Sequence, residues 1–240
     1  MCGVAGVFHL GGGAVDAAEL ARMTGAIAHR GPDQEGFHLE PGLGLGFRRL
    51  AIIDLSGGGQ PMFNEDGSVA IVFNGEIYNH LDLRRELQAK GHVFANLCDT
   101  EAIIHAWEEW GPACLDRLSG MFAFAIWDRN RRTLFLARDR LGKKPLYHAT
   151  TPDGRFVFAS ELAALAEVSA LPRRIDPRAV DAYFALGYIP DPGSIYHGIA
   201  KLPAAHCLTV SAAAGVGAPR RYWGLGPGET PADEGEAAEE

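Results

Sequence analysis

The chain has 240 residues, 47% of them hydrophobic and 22% charged, which is the composition of a globular protein able to bury a full core. Its formal net charge of −8 comes from 22 basic and 30 acidic residues, but six acids (Glu229, Asp233, Glu234, Glu236, Glu239, Glu240) close the chain and the remaining balance is 22 against 24. No basic stripe of the kind nucleic acid requires is present, no apolar run approaches membrane-spanning length, and the opening MCGVAGVF lacks the basic flank and long apolar segment of a signal peptide.

Read in chain order, residues 2–8 are short, apolar and β-branched with small spacers, which predicts a buried strand. Asp16 offers an N-cap for a helix running to about residue 28, broken by His29-Arg-Gly-Pro-Asp. Strands are expected at 36–39, 43–53 and 68–73, with Asn74-Gly-Glu-Ile-Tyr-Asn as a tight connection to a helix over 80–90. Ala102, Ile103, Ala106 and Trp107 recur at helical spacing after Asp99, and 121–127 with 133–137 read as a hairpin. Further strands are expected at 145–148 and 155–159, a helix within 173–188 from Asp176-Pro177, and a last strand ending near Val210. The strands fall in two groups and do not alternate with helices, so we expect an α+β protein: antiparallel sheets packed face to face, with helices outside. Residues after about 222 are Gly, Pro, Ala and Glu, the composition of a linker or disordered tail, and a chain that stops on a linker reads as a fragment.

Cys2, Cys98, Cys114 and Cys207 are widely spaced with no C-x-x-C pair, and the nine histidines form no H-E-x-x-H pattern. Neither a disulfide framework nor a metal site is expected, and reduced thiols without a leader indicate the cytoplasm.

Five positions carry potential chemistry. Removal of Met1 would leave Cys2 with a free α-amine of pKa near about 7.7, able to take the proton of its own thiol; alone, a cysteine in an apolar run is read more simply as a packing group. Asn74 and Gly75 offer an amide and a backbone N–H for a developing oxyanion, although Asn-Gly is also an ordinary turn. Arg49, set among apolar strand residues, can hold a carboxylate in a bidentate fork. Asp99 can accept from an ammonium or simply cap the helix it precedes. Together these groups fit an α-amino acid with an acyl group to be cleaved.

MCGVAGVF, His29-Arg-Gly-Pro-Asp, Arg49-Leu-Ala-Ile-Ile-Asp, Gln60-Pro-Met, Asn74-Gly-Glu-Ile-Tyr-Asn, Asp99-Thr-Glu, Gly120-Met-Phe-Ala-Phe-Ala-Ile-Trp-Asp, Arg138-Asp-Arg-Leu-Gly-Lys-Lys-Pro-Leu-Tyr and Phe158-Ala-Ser-Glu follow one another in order. This ordered set resembles the N-terminal glutaminase domain of glutamine-hydrolysing asparagine synthetases, class II glutamine amidotransferases of the N-terminal-nucleophile hydrolase superfamily. The resemblance implies a four-layer αββα sandwich, with 1–170 the glutaminase domain, 171–223 a connection and the start of the synthetase region, and 224–240 an acidic linker. It implies Cys2 as nucleophile, Asn74 and Gly75 as oxyanion hole, and glutamine held by Arg49, by backbone groups at Leu50, Ala51, Ile52 and Ile53, and by Glu76 and Asp99. Small departures from the pattern are Ala28, Arg48 and Cys98. Ammonia would pass to a C-terminal synthetase domain that uses ATP and Mg; this chain would need no cofactor. Its pyrophosphate-binding Ser-Gly-Gly-x-Asp-Ser loop is absent, since Ser56-Gly-Gly-Gly-Gln lacks the Asp-Ser. A partner domain that amidates a natural-product or cell-envelope acceptor, or a silent module that only holds its partner, are the other readings. The resemblance leaves room for a homodimer and implies neither nucleic-acid nor membrane partners.

Overall fold

The computed structural model describes residues 1–51 and 57–225, and the chain forms two antiparallel sheets. In the first, β1 (Gly3–His9) lies between β3 (Leu43–Arg49) and β9 (Arg155–Ala159). Beyond these lie β2 (Gln34–Glu40) on one side, then β8 (Tyr147–Thr150) and β10 (Ile199–Lys201) on the other. The second sheet runs in the order β12 (Gly215–Val216), β11 (His206–Ser211), β7 (Thr133–Arg138), β6 (Gly120–Asp128), β5 (Val69–Ile77), β4 (Met62–Phe63), with β13 (Arg220–Arg221) also on β11. Helix α1 (Ala17–Ala26) and the short α4 (Leu162–Leu165) cover the first sheet; α2 (His80–Ala89) and α3 (Asp99–Trp110) cover the second.

Side-chain alternation along the strands builds the layers. Ile71 and Phe73 of β5, with Phe122, Phe124 and Ile126 of β6, face α2 and α3 through Leu83, Leu87, Ile103 and Trp107. Their neighbours Ala70, Val72, Ala123, Ala125 and Trp127 point the other way, against Phe47, Phe156 and Phe158 of the first sheet. Ala5 and Val7 of β1 meet Leu20, Met23 and Ile27 on and beside α1. Three apolar layers thus separate four layers of secondary structure, and the αββα sandwich follows from strands apolar on both faces. Each such fully buried large side chain stabilises the fold by about 1.5–3 kcal/mol.

Several helix boundaries obey local chemistry. Asp16 caps α1 by accepting the Ala18 N–H at 2.8 Å. Asp176 caps α5 (Pro177–Leu186), which ends on Gly187 in the left-handed region at φ 77°. Other boundaries move. β1 begins at Gly3, leaving Cys2 just outside the ladder, and β3 stops at Arg49; Ile52 and Ile53, expected in that strand, lie outside the described residues, as does 226–240. β8 sits two residues later than expected. The largest correction concerns Asn74-Gly75, which is not a turn: β5 continues to Ile77, pairing Asn74 with Ala123 and Gly75 with Phe122. A Cβ on Gly75 would meet the Met121 carbonyl oxygen at 2.2 Å and the Phe122 Cα at 2.8 Å. Glycine is there so that β6 can approach, not to let the chain reverse. Within 171–223, β10 pairs with β8 in the first sheet, while β11 pairs with β7 and carries β12 and β13 in the second, so this stretch extends both sheets.

Candidate active site

Cys2 lies in the wall of an open cleft together with Arg49, Asn74, Gly75, Glu76 and Asp99. The Cys2 Sγ receives the Leu50 N–H at 3.4 Å and lies 3.6 Å from the Leu50 carbonyl oxygen. Burial pushes the thiol pKa above its ordinary value; the Leu50 amide, the N-terminal ammonium and Arg49 pull the other way, and Asp99 adds to the rise. The resting sulfur is therefore a protonated thiol at neutral pH, and its use as a nucleophile needs a base.

The residue before β1 is fixed by the His29-Arg-Gly-Pro-Asp segment. Arg30, itself buried, donates from Nε to the Cys2 carbonyl at 2.9 Å and from Nη1 to Glu161 at 2.7 Å. With its amide turned to satisfy both neighbours, Asn74 donates to the same Cys2 carbonyl at 3.0 Å and accepts from Arg30 Nη2 at 3.3 Å. One planar guanidinium thus ties the N-terminal residue to the exit of β9 and to β5. Gly31 lies against the chain at Arg48–Arg49, where a Cβ would meet the Arg49 N at 2.5 Å. Asp33 accepts the Ala51 N–H at 2.8 Å and holds the segment carrying Leu50.

The opposite wall is the open edge of β5. Alternate N–H groups of a strand point to the same side. On that side, Phe73 donates to Gln60 Oε1 at 2.6 Å and Ile77 donates to Asp99 Oδ2 at 2.8 Å. Gly75 lies between them, so its N–H is aimed the same way, into the cleft. The partner residue agrees, because Phe122 turns its N–H and carbonyl to Asp139 on the far side. An Asn amide nitrogen carries two hydrogens, so Asn74 keeps a second N–H beyond the one it gives to the Cys2 carbonyl.

Two charged groups flank these donors. Arg49 ends β3, is buried, and donates from Nη1 to Gln34 at 3.0 Å. Alternation sends its neighbour Arg48 to the other face, where it pairs with Glu35 at 2.7 Å and the Thr24 carbonyl at 3.1 Å. Asp99 is the first residue of α3, not its cap: the cap position is Cys98, which makes no side-chain capping bond. Asp99 is only 6% exposed, and burial holds its carboxyl above the usual range, with Ile77 and His80 acting against that and Glu76 adding to it. A carboxylate so placed gains most from a cation arriving in the cleft. Cys98 packs 3.8 Å from the Met62 sulfur, and burial pushes its thiol up to about 11, which makes it a packing group.

The structure thus gathers Cys2, Arg49, Leu50, Asn74, Gly75, Glu76 and Asp99 at one cleft; Ala51 is tethered through Asp33, and Ile52 and Ile53 fall outside the described residues. One further cleft residue, Lys144, belongs to the Arg138-Asp-Arg-Leu-Gly-Lys-Lys segment and is not among the residues the sequence points to. Lys144 lines the cleft and donates from Nζ to the Met1 sulfur at 3.4 Å. Burial and the nearby Arg30 lower its pKa, partly offset by Asp139, Cys2 and Glu76. Asp139 winds that loop by accepting the N–H groups of Leu141, Lys143, Lys144 and Phe122. A lysine within a loop motif gives no periodic signal, which is why only its place in the fold reveals it.

Met1 also lines the cleft and is 55% exposed.

Comparison with known proteins agrees with this geometry. A family model for the glutamine amidotransferase domain matches residues 1–223. Asparagine synthetase [glutamine-hydrolyzing] 3 of Bacillus subtilis (strain 168) is 40% identical over 215 residues, 88% of this chain and 35% of that protein. A putative asparagine synthetase [glutamine-hydrolyzing] of Mycobacterium tuberculosis (strain ATCC 25618 / H37Rv) is 42% identical over 202 residues, 79% of this chain and 31% of that one. The chain spans about a third of the length of these curated relatives. Among solved structures, glutamine phosphoribosylpyrophosphate amidotransferase from B. subtilis superposes with a TM-score of 0.67 at 20% identity, over 92% of this chain and 49% of that one; at that identity the likeness is one of fold. With a two-sheet αββα sandwich and a family match over residues 1–223, this chain belongs to the glutamine amidotransferase domain family.

Proposed function

We propose that the chain hydrolyses L-glutamine to glutamate and ammonia, with Cys2 as nucleophile. What carries the reading is the position of the Cys2 thiol across the cleft from the inward-facing N–H of Gly75, between a buried guanidinium and a buried carboxylate. The buried thiol stays protonated at rest, so a base is needed; once Met1 is cleaved, the α-amine on the same residue fills that role, being of a class that ordinarily titrates near neutral pH. The sulfur attacks the side-chain carbonyl carbon of glutamine as the amine takes the thiol proton. The oxygen gains negative charge facing Asn74 and Gly75, preformed donors of a kind each worth about 2.7–4 kcal/mol in acyl transfer. The α-ammonium returns the proton to the leaving nitrogen, the C–N bond breaks and ammonia departs. Water, deprotonated by the same amine, then cleaves the γ-glutamyl thioester. Arg49 holds the α-carboxylate, with backbone groups of the Leu50–Ala51 segment beside it, and Asp99 with Glu76 holds the α-ammonium.

The relatives named asparagine synthetases favour a further assignment: ammonia from this cleft passes to a synthetase domain that activates aspartate with ATP, and the chain described here needs no cofactor of its own. Processed protein should release glutamate from glutamine, and Cys2→Ala should stop this while melting like the parent. Turnover retained in Cys2→Ala sinks the mechanism.

A further inference from the structure

We propose that Glu65, His92 and His105, with Glu108, form a binding site for a zinc-type divalent ion on the outer helical layer, apart from the catalytic cleft. The residues come from three segments: the turn between β4 and β5, the connection from α2 to α3, and the middle of α3. One ligand atom each from Glu65, His92 and His105 lie within 4.8 Å of one another. Glu108 Oε2 sits 2.7 Å from His105 Nδ1 and 3.7 Å from His92 Nδ1, and Glu65 Oε2 is 3.9 Å from His105 Nδ1. Ligands about 2.0–2.2 Å from a tetrahedral zinc lie about 3.3 Å from each other; the three pair distances above fall on either side of that value, and the wider pairs, within 4.8 Å, would close on the ion by side-chain rotation.

The surroundings aim the ligands. Glu65 accepts the Val93 N–H at 3.1 Å and Glu108 Oε1 accepts from Asn64 Nδ2 at 2.6 Å, leaving the second oxygen of each turned to the imidazoles. Phe94 packs edge-on against His105 at 4.5 Å. The independent observation is His105 itself. Its side chain is 1% exposed and Nε2 has no hydrogen-bond partner among the described residues, yet it faces Glu101 Oε1 at 3.9 Å. A neutral ring that donates from Nδ1 to Glu108 leaves Nε2 a buried acceptor opposite another acceptor. A metal on Nδ1 moves the ring proton to Nε2 and gives Glu101 an N–H to accept, the carboxylate–histidine–metal arrangement.

Two imidazoles and two carboxylates with no thiolate select zinc or cobalt over calcium or magnesium. Four protein ligands close the shell, so the ion would be structural. It would fasten both connecting segments to α3, whose first residue, about 9 Å along the axis from His105, is Asp99 in the cleft.

The test titrates zinc into the metal-stripped full chain carrying Cys2→Ala, which removes the terminal thiol as a rival ligand. Bound metal is counted by elemental analysis, and Tm is followed with and without zinc. One zinc per folded chain is expected, raising Tm, with affinity at least about tenfold weaker in His92→Gln and in Glu65→Gln. Cobalt should give the intense visible absorption of a tetrahedral site. The two partly exposed ligands are tested because replacing His105 also disturbs the core. No stoichiometric zinc on the folded parent, or unchanged affinity in either variant, overturns the proposal.

Discussion

Replacing Asp99 by Asn separates substrate recognition from folding. In the resting protein the carboxylate is buried beside the Ile77 N–H, and its pKa is raised chiefly because burial disfavours the charged form. Folded Asp99 therefore binds its proton more tightly than the unfolded chain does. Its contribution is fully present below the ordinary aspartate range and is lost as pH rises through the raised folded value. Asn keeps an oxygen for Ile77 and does not titrate, so Asp99→Asn should be at least as stable as the parent at pH 7. Its advantage should shrink as pH falls towards 4. Function moves the opposite way. A hydrogen bond to a charged group contributes about 1.5–3 kcal/mol, so losing the partner of the substrate ammonium should raise KM by about 10–150-fold. Because that contact is kept in ground and transition states, kcat should change far less. Glutamate release by processed enzyme, with melts at pH 4 and pH 7, reads both effects. An unchanged KM, or a variant whose stability relative to the parent falls as pH rises, refutes the assignment.

Gly75→Ala forces a Cβ into the β6 backbone and should lower stability by about 1–3 kcal/mol, or several degrees in Tm, while kcat/KM falls about 10²-fold through displacement of the cleft edge; a parent-like melt contradicts the close approach. Arg30→Met removes the tie between Cys2, Glu161 and Asn74 and should cut kcat/KM by about 10²-fold. Arg30→Lys should restore little, because a point charge cannot reproduce the planar fork; full rescue by lysine contradicts the geometric role. Lys144→Met removes a cation from the cleft, so the acidic limb of the kcat/KM pH profile should shift upward as the terminal amine holds its proton more tightly; an unmoved limb refutes that coupling.

Much of this fold was legible because its strands are short and apolar on both faces, which places them in a two-sheet core before any pairing is known. The ends of the elements were less so. Asn74-Gly75 has the chemistry of a turn, and only the approach of β6 and the Asp99 carboxylate, 22 residues away from Ile77, makes it strand. Asp99 reads locally as a cap, yet its bond goes to another element. Cys2 stands out by its place directly behind Met1, Arg49 as a charge among apolar strand residues, and Asp99 as an acid just ahead of a helix. Arg30, Asp33 and Asp139 act through hydrogen bonds to distant backbone, which leave no periodicity. His92 and His105 likewise share no recognisable spacing in the sequence and come together with Glu65 only in the fold.

The central claim is that one terminal residue supplies both nucleophile and base. It is tested most directly by the rate at which a thiol-reactive glutamine analogue adds mass to residue 2, with Met1 removed and with Met1 kept. Rapid, glutamine-protected labelling of Cys2 alone in the processed chain, and slow labelling when Met1 remains, is the expected result; equal rates in the two forms, or labelling elsewhere, contradicts it.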